Sequence, residues 1–168
     1  SFNMNYLMFN TAGKTTEIIL SVNGVEEYFS DEDGLQASSV LLPETERMLK
    51  RAGASLSDMD FFGCVIGPGS FTGIRIGVVT VKTLCFALGK KAAAVNYNKL
   101  ISLSTEGKRI SVVYGWADVY YAAVYDGDKE VVPPTAMKKG EIESLPISYD
   151  GYELVCDAAS HKVFGGIK

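Results

Sequence analysis

The chain has 168 residues, 47% of them hydrophobic and 21% charged, with a formal net charge of −4 and a pI near 5.0. That length supports one domain with a proper core or two small lobes, and the composition is that of an ordinary folded soluble protein. The acidic balance argues against an autonomous nucleic-acid binder, while leaving room for a role beside an RNA-binding partner.

Tyr6-Leu7-Met8-Phe9 is a continuous apolar run that predicts a buried strand, followed by a polar turn at Asn10-Thr11-Ala12-Gly13-Lys14. The β-branched run Thr16 to Val22 predicts a second strand, and Asn23-Gly24 is a hairpin signal into a third, Val25 to Phe29. Ser30 to Gly34 reads as an acidic loop, with Asp31-Glu32-Asp33 solvated and not a metal site. A helix is expected from about Leu35 to Ala52, with Leu41, Met48, Leu49 and Ala52 on one face, Lys50 and Arg51 in its last turn and Gly53 as its stop. Pro43 either starts a shorter helix or kinks a longer one. Phe61 to Ile66, apolar on both faces, predicts a central strand; Phe71 to Leu88 a helix; Ala92 to Val95 a short strand; and Asn96 to Ser104 a short helix.

The order β-β-β-α-β-α-β suits a mixed α/β sheet with helices packed on it, and it closes a first lobe over residues 4–104. From 105 to 168 the character changes to a smaller, incomplete lobe. Arg109 to Trp116 and Val119 to Tyr125 predict a hairpin, and Lys129 to Val132 a third run broken by Pro133-Pro134. Lys138 to Ser144 reads as a short helix and Glu153 to Cys156 as a last strand, with no long closing helix after it. Ser1-Phe2-Asn3 ahead of Met4 reads as a cloning remnant, and no secretory signal precedes the fold. Cys64, Cys85 and Cys156, with His161 the single histidine, show no metal-ligand spacing and read as reduced residues of a cytosolic protein; the helix carrying Arg75 and Lys82 is not expected to span a membrane.

The stretch on which the chain turns is Gly67-Pro68-Gly69-Ser70-Phe71-Thr72-Gly73-Ile74-Arg75-Ile76-Gly77, between an apolar strand and a helix. Such a turn can point backbone N–H groups at a phosphate. The common cradles fail in turn. A Walker A loop needs Gly-Lys-Ser/Thr where Thr72-Gly73-Ile74 stands, a dinucleotide fingerprint needs a shorter glycine spacing and a following acid, and a nucleophile elbow needs glycines two residues either side of Ser70. Ser70 or Thr72 is expected to cap the helix. Ile74, Val78, Val81, Cys85 and Leu88 form one apolar stripe, and Gly73, Gly77, Thr80 and Leu84 a second of smaller residues, which must face a neighbouring helix or another chain.

At these residues the sequence resembles the TsaB (YeaZ) family, whose most specific motif matches 67–77 almost residue for residue. Lys82, Leu41-Leu42-Pro43, Asn10-Thr11 and Val119-Tyr120-Tyr121 also fit, so the resemblance runs from Met4, closely to about Val95 and loosely afterwards. It implies the actin-like ATPase (ASKHA, RNase H-like) fold and a role in making N6-threonylcarbamoyladenosine on tRNA. The chain would be a non-catalytic paralogue that supports a catalytic TsaD subunit, with a P-loop ATPase, TsaE, joining the complex and tRNA engaged only indirectly. It also implies cytoplasmic location, a homodimer when isolated, and a pairing surface on the two helices, for which the candidates are Leu41, Thr45, Met48, Gly73, Arg75, Ile76, Gly77, Thr80 and Leu84. No catalytic residue, metal or cofactor is expected of this chain, with ATP or ADP left open at a complex interface. The chain departs from the family at Asn10, where the family has an Asp that serves the metal–phosphate site of actin-like ATPases, at Ala37, at Val113-Tyr114-Gly115 and at Cys156-Asp157-Ala158-Ala159. Two other readings stand beside this one: an ATP-using enzyme with its phosphate site at the 67–73 turn, and a self-associating protein of unrelated role. Tyr114, Trp116, Tyr120, Tyr121 and Tyr125 alternate along strands and read as core or cross-strand pairs before base-stacking platforms.

Overall fold

The structure, a computed structural model, describes residues 3–33 and 35–166. Ser1, Phe2 and Gly34, the last residue of the acidic loop, lie outside the described residues. The chain divides into two units, residues 1–66 with 70–95, and residues 67–69 with 96–168. The boundary therefore falls at Asn96 and not at 105, because the short helix after it belongs to the second unit.

The first unit is built on a five-stranded sheet. Strands β1 (Tyr6–Asn10), β2 (Thr16–Val22) and β3 (Val25–Asp31) form an antiparallel meander, β4 (Phe61–Gly67) runs parallel to β1, and β5 (Lys91–Asn96) lies beyond it, giving the order β3-β2-β1-β4-β5. Asn23 and Gly24 both take positive φ, 52° and 79°, as a tight two-residue hairpin turn requires. Helix α1 (Ala37–Ala52) runs unbroken through Pro43 and ends at Gly53; helix α2 (Phe71–Leu88) is capped by Ser70. Leu7, Phe9, Ile18, Leu20, Leu41, Met48, Phe62 and Val81 make one continuous core between sheet and helices. Asp31 is buried, and its carboxylate closes the acidic loop by accepting from the N–H groups of Asp33 (3.2 Å) and Leu35 (3.0 Å).

The second unit opens with helix α3 (Tyr97–Ser102). Asn98 on it is fully buried, donating to the carbonyls of Ser111 (2.9 Å) and Tyr121 (3.0 Å), while Ser111 Oγ returns a bond to the Asn98 carbonyl (2.7 Å). Those bonds tie the helix to strands β6 (Lys108–Trp116) and β7 (Val119–Asp126). Strand β8 (Lys129–Lys138) continues through Pro133-Pro134, which had been expected to end it. The prolines survive because β8 is the edge of the sheet β8-β7-β6-β9 and its register against β7 shifts there, so no ladder bond is asked of them. Helix α4 spans Lys139–Ser148, longer than expected, strand β9 (Glu153–Cys156) runs parallel to β6, and a short helix α5 (Ala158–Phe164), to which the sequence reading assigned no element, follows.

Asp157 explains α5. Its Oδ1 accepts from Ser160 N (2.9 Å) and from Tyr114 N (3.3 Å), so one buried carboxylate caps the helix and ties it to β6. Phe164 is then buried edge-on against Tyr120. Replacing Asp157 with Ala is expected to cost about 1–3 kcal/mol. Trp116, the single tryptophan, lies in this unit and reports it by fluorescence; a denaturant midpoint left unchanged would show that the cap contributes nothing.

Candidate functional site

The candidate site is the face that α1 and α2 present, and its geometry starts from the way α2 leaves the sheet. Ser70 Oγ accepts from Gly73 N (3.1 Å), and Ser70 N donates to the Ala12 carbonyl (2.8 Å). Thr11 Oγ1 donates to the Gly73 carbonyl (2.5 Å). The polar turn after β1 therefore holds the first turn of the helix from both sides. Gly67 and Gly69 ahead of it have φ of 119° and 153°, on either side of a cis peptide bond to Pro68.

The glycine stripe faces inward. A Cβ on Gly73 would stand 1.9 Å from the Thr11 carbonyl oxygen, and one on Gly77 2.7 Å from Thr11 Oγ1 and 3.5 Å from Cys64 Cβ. The missing side chains let the helix backbone approach the end of β1 and the face of β4. This corrects the assignment of Gly73 and Gly77 to a pairing surface. Leu41, Thr45 and Met48 are likewise buried in the isolated chain, Thr45 Oγ1 donating to the Leu41 carbonyl (2.7 Å), and Leu84 packs half-buried against the same core.

What remains outward is a groove of about 420 Å³ between α1 and α2, lined by Ser38, Leu42, Arg75, Ile76, Val79 and Thr80 among others. Thr80 Oγ1 is satisfied by the Ile76 carbonyl (2.7 Å), so the residue offers the groove no free donor. Beside the groove α2 shows a third stripe that the sequence reading passed over: Phe71, Arg75, Val79, Lys82 and Phe86, all exposed, with Phe71 at 74%, Val79 at 60% and Phe86 at 93%. The signal was present as large apolar residues at helical spacing. The Arg75 guanidinium lies 5.5 Å over the Phe71 ring. Length and apolarity alone would let α2 cross a membrane, but Gly73, Gly77 and Val81 pack it on its own sheet.

Asn10 is buried; its Nδ2 donates to Glu17 Oε2 (2.7 Å) and its Oδ1 accepts from Ala12 N (3.1 Å). Tyr28 donates to Glu17 Oε1 (2.5 Å), and burial, then that bond, push its phenol up to about 12. Burial, then the charge of Asp157, pushes the Cys156 thiol up to about 12, and burial, then Cys85, raises Cys64. Among the described residues no three His, Cys, Asp or Glu side chains gather as metal ligands. Tyr120 and Tyr125 are buried; Trp116 lies exposed 6.0 Å from Tyr121.

The comparisons bear on this helix pair. The family model described as TsaD, tRNA N6-adenosine threonylcarbamoyltransferase, matches residues 35–115, from α1 into β6. Curated proteins of that name from Erythrobacter litoralis and Novosphingobium aromaticivorans are 32% identical over 65 residues and 35% over 77, or 39% and 46% of this chain. The matched stretches are only 19% and 22% of those proteins' length. YeaZ from Pseudomonas aeruginosa superposes with a TM-score of 0.74 at 22% identity, over 80% of this chain and 67% of that one. The chain is similar to TsaD across its α1–α2 region and shares the fold of YeaZ. Its fold is the mixed-sheet α/β fold that YeaZ also has, as the sequence resemblance leads one to expect. In this chain the 67–77 stretch thus serves, first of all, to seat α2 on the sheet.

Two outcomes follow. Gly73→Ala puts a methyl into a backbone carbonyl and is expected to destabilise the chain by about 3 kcal/mol, read as a lowered melting temperature; Gly77→Leu should do at least as much, so its failure to bind a partner would report unfolding. At pH 8 Cys64 and Cys156 should resist iodoacetamide in the native chain and react on unfolding, because their raised pKa values keep them thiols; rapid native alkylation of either would contradict those raised values.

Proposed function

We propose that this chain is a non-catalytic subunit in tRNA N6-threonylcarbamoyladenosine modification, docking through its α1–α2 face onto a TsaD-like catalytic subunit. The observation that carries the reading is the exposed row Phe71, Arg75, Val79 and Phe86 beside the α1–α2 groove. A helix already seated by its inner stripe has no internal use for a second face of that kind. The aromatic and arginine content is that of an interface core. Asn10, in the turn that seats α2, has both ends of its side chain engaged, by Glu17 and by Ala12 N. A TsaE-like ATPase, a homodimer in the absence of the partner, indirect contact with tRNA and a cytoplasmic setting belong to the same proposal.

A second reading draws on the name the curated relatives share, which is that of a transferase. In it the chain would bind ATP with magnesium and turn it over. Calorimetry separates the two: micromolar nucleotide binding with turnover by the isolated chain favours the enzyme.

For the docking reading the test is co-purification with a TsaD-like subunit. Val79→Asp is expected to weaken the complex by about tenfold or more while leaving the melting temperature unchanged, since the side chain is 60% exposed. A wild-type chain that forms no complex, or a variant that binds as tightly as wild type, would overturn it.

A further inference from the structure

We infer that the Asn10–Glu17 pair is a positioning device for helix α2: it fixes the turn after β1, and the turn in turn holds the first residues of the helix. The bonds run without a break. Tyr28 on β3 donates to Glu17 Oε1 (2.5 Å), Asn10 Nδ2 at the end of β1 donates to Glu17 Oε2 (2.7 Å), and Asn10 Oδ1 accepts from Ala12 N (3.1 Å). The Ala12 carbonyl then accepts from Ser70 N (2.8 Å), and Thr11 Oγ1 donates to the Gly73 carbonyl (2.5 Å). Asn10, Thr11 and Ala12 are all at most 5% exposed, so water does not compete for these groups.

The chemistry at position 10 is over-determined. Its neighbour on one side is a carboxylate, which only accepts, and on the other a backbone N–H, which only donates. Only a side chain with one donor and one acceptor end answers both, and this also fixes which way the amide points. The two residues are direct cross-strand partners, Asn10 opposite Glu17. A carboxylate at position 10 could accept from Ala12 N only by holding its other oxygen against the Glu17 oxygen at hydrogen-bond distance with no proton between them, so it cannot keep the bond in place. The turn would swing away from β2, and with it the carbonyl and hydroxyl that seat α2. The consequence for docking rests on the function proposed above; the positioning of the helix does not.

The test reverses the polarity of the pair. Amide hydrogen exchange followed by NMR reads Ala12, Ser70 and Gly73 in the full chain. Asn10→Asp is expected to speed exchange at all three by about 10- to 100-fold, the loss of one hydrogen bond to a charged group. Adding Glu17→Gln returns a donor to the pair from the other strand, leaves an oxygen for Tyr28, and should restore wild-type exchange. A residue that merely filled space would not be rescued in this way. If Asn10→Asp alone does not fold, a folded double variant with wild-type exchange supports the device and an unfolded one overturns it. Wild-type exchange in Asn10→Asp, or a folded double variant that stays fast, also overturns it. Affinity for the TsaD-like subunit is measured in parallel: rescue of exchange without rescue of affinity supports the positioning device and counts against the docking face alone.

Discussion

The structure depends on one close approach, that of the α2 backbone to the turn after β1. Gly73 and Gly77 have no room for a side chain, because the Thr11 carbonyl and hydroxyl already occupy it. Around this contact the first unit arranges itself. Ser70 caps the helix and bonds to Ala12, Val81 reaches the core one turn further on, and Leu41 and Met48 of α1 pack into the same cluster. The contact consumes the inner face of α2 and so decides which residues are left outward.

That division turns a sequence motif into a surface. The glycines of the 67–77 stretch could be read as a phosphate cradle or as a helix-pairing stripe; Gly73 and Gly77 are taken up by close contact with Thr11. They set the depth of α2, and depth determines how far Phe71, Val79 and Phe86 stand out from the sheet. The similarity to TsaD over residues 35–115 begins just ahead of α1 and takes in the whole of α2, while the YeaZ fold extends over most of the chain. The first of these spans includes both helices of the pair α1 and α2.

Much of the first unit was legible because each of its signals is local. An apolar run, an Asn-Gly turn, a glycine stop and a hydroxyl ahead of a helix each declare themselves within a few residues, and the order β1-β2-β3-α1-β4-α2-β5 follows from them. The second unit was read less well because its decisive facts are non-local. Pro133-Pro134 break a strand only if the strand is central, and their tolerance depends on β8 being an edge with a register shift. The helix α5 depends on a carboxylate whose second bond reaches back to Tyr114, forty-three residues earlier. At the candidate site the periodicity was read correctly and its direction was not. Two stripes at helical spacing do not say which faces the sheet, and only the position of Thr11 over Gly73 and Gly77 settles it. The pairing of Asn10 with Glu17 was likewise hidden until strand register set them opposite one another.

The central claim is that the outer face of α1 and α2 is where a TsaD-like subunit docks. Hydrogen–deuterium exchange of the chain alone and with that subunit tests it most directly, since it maps the footprint without any mutation. The account predicts added protection confined to the segments around Leu42 and from Phe71 to Phe86, with the β6–β8 sheet unchanged. Protection on that sheet, or none on α1 and α2 in a formed complex, would contradict it.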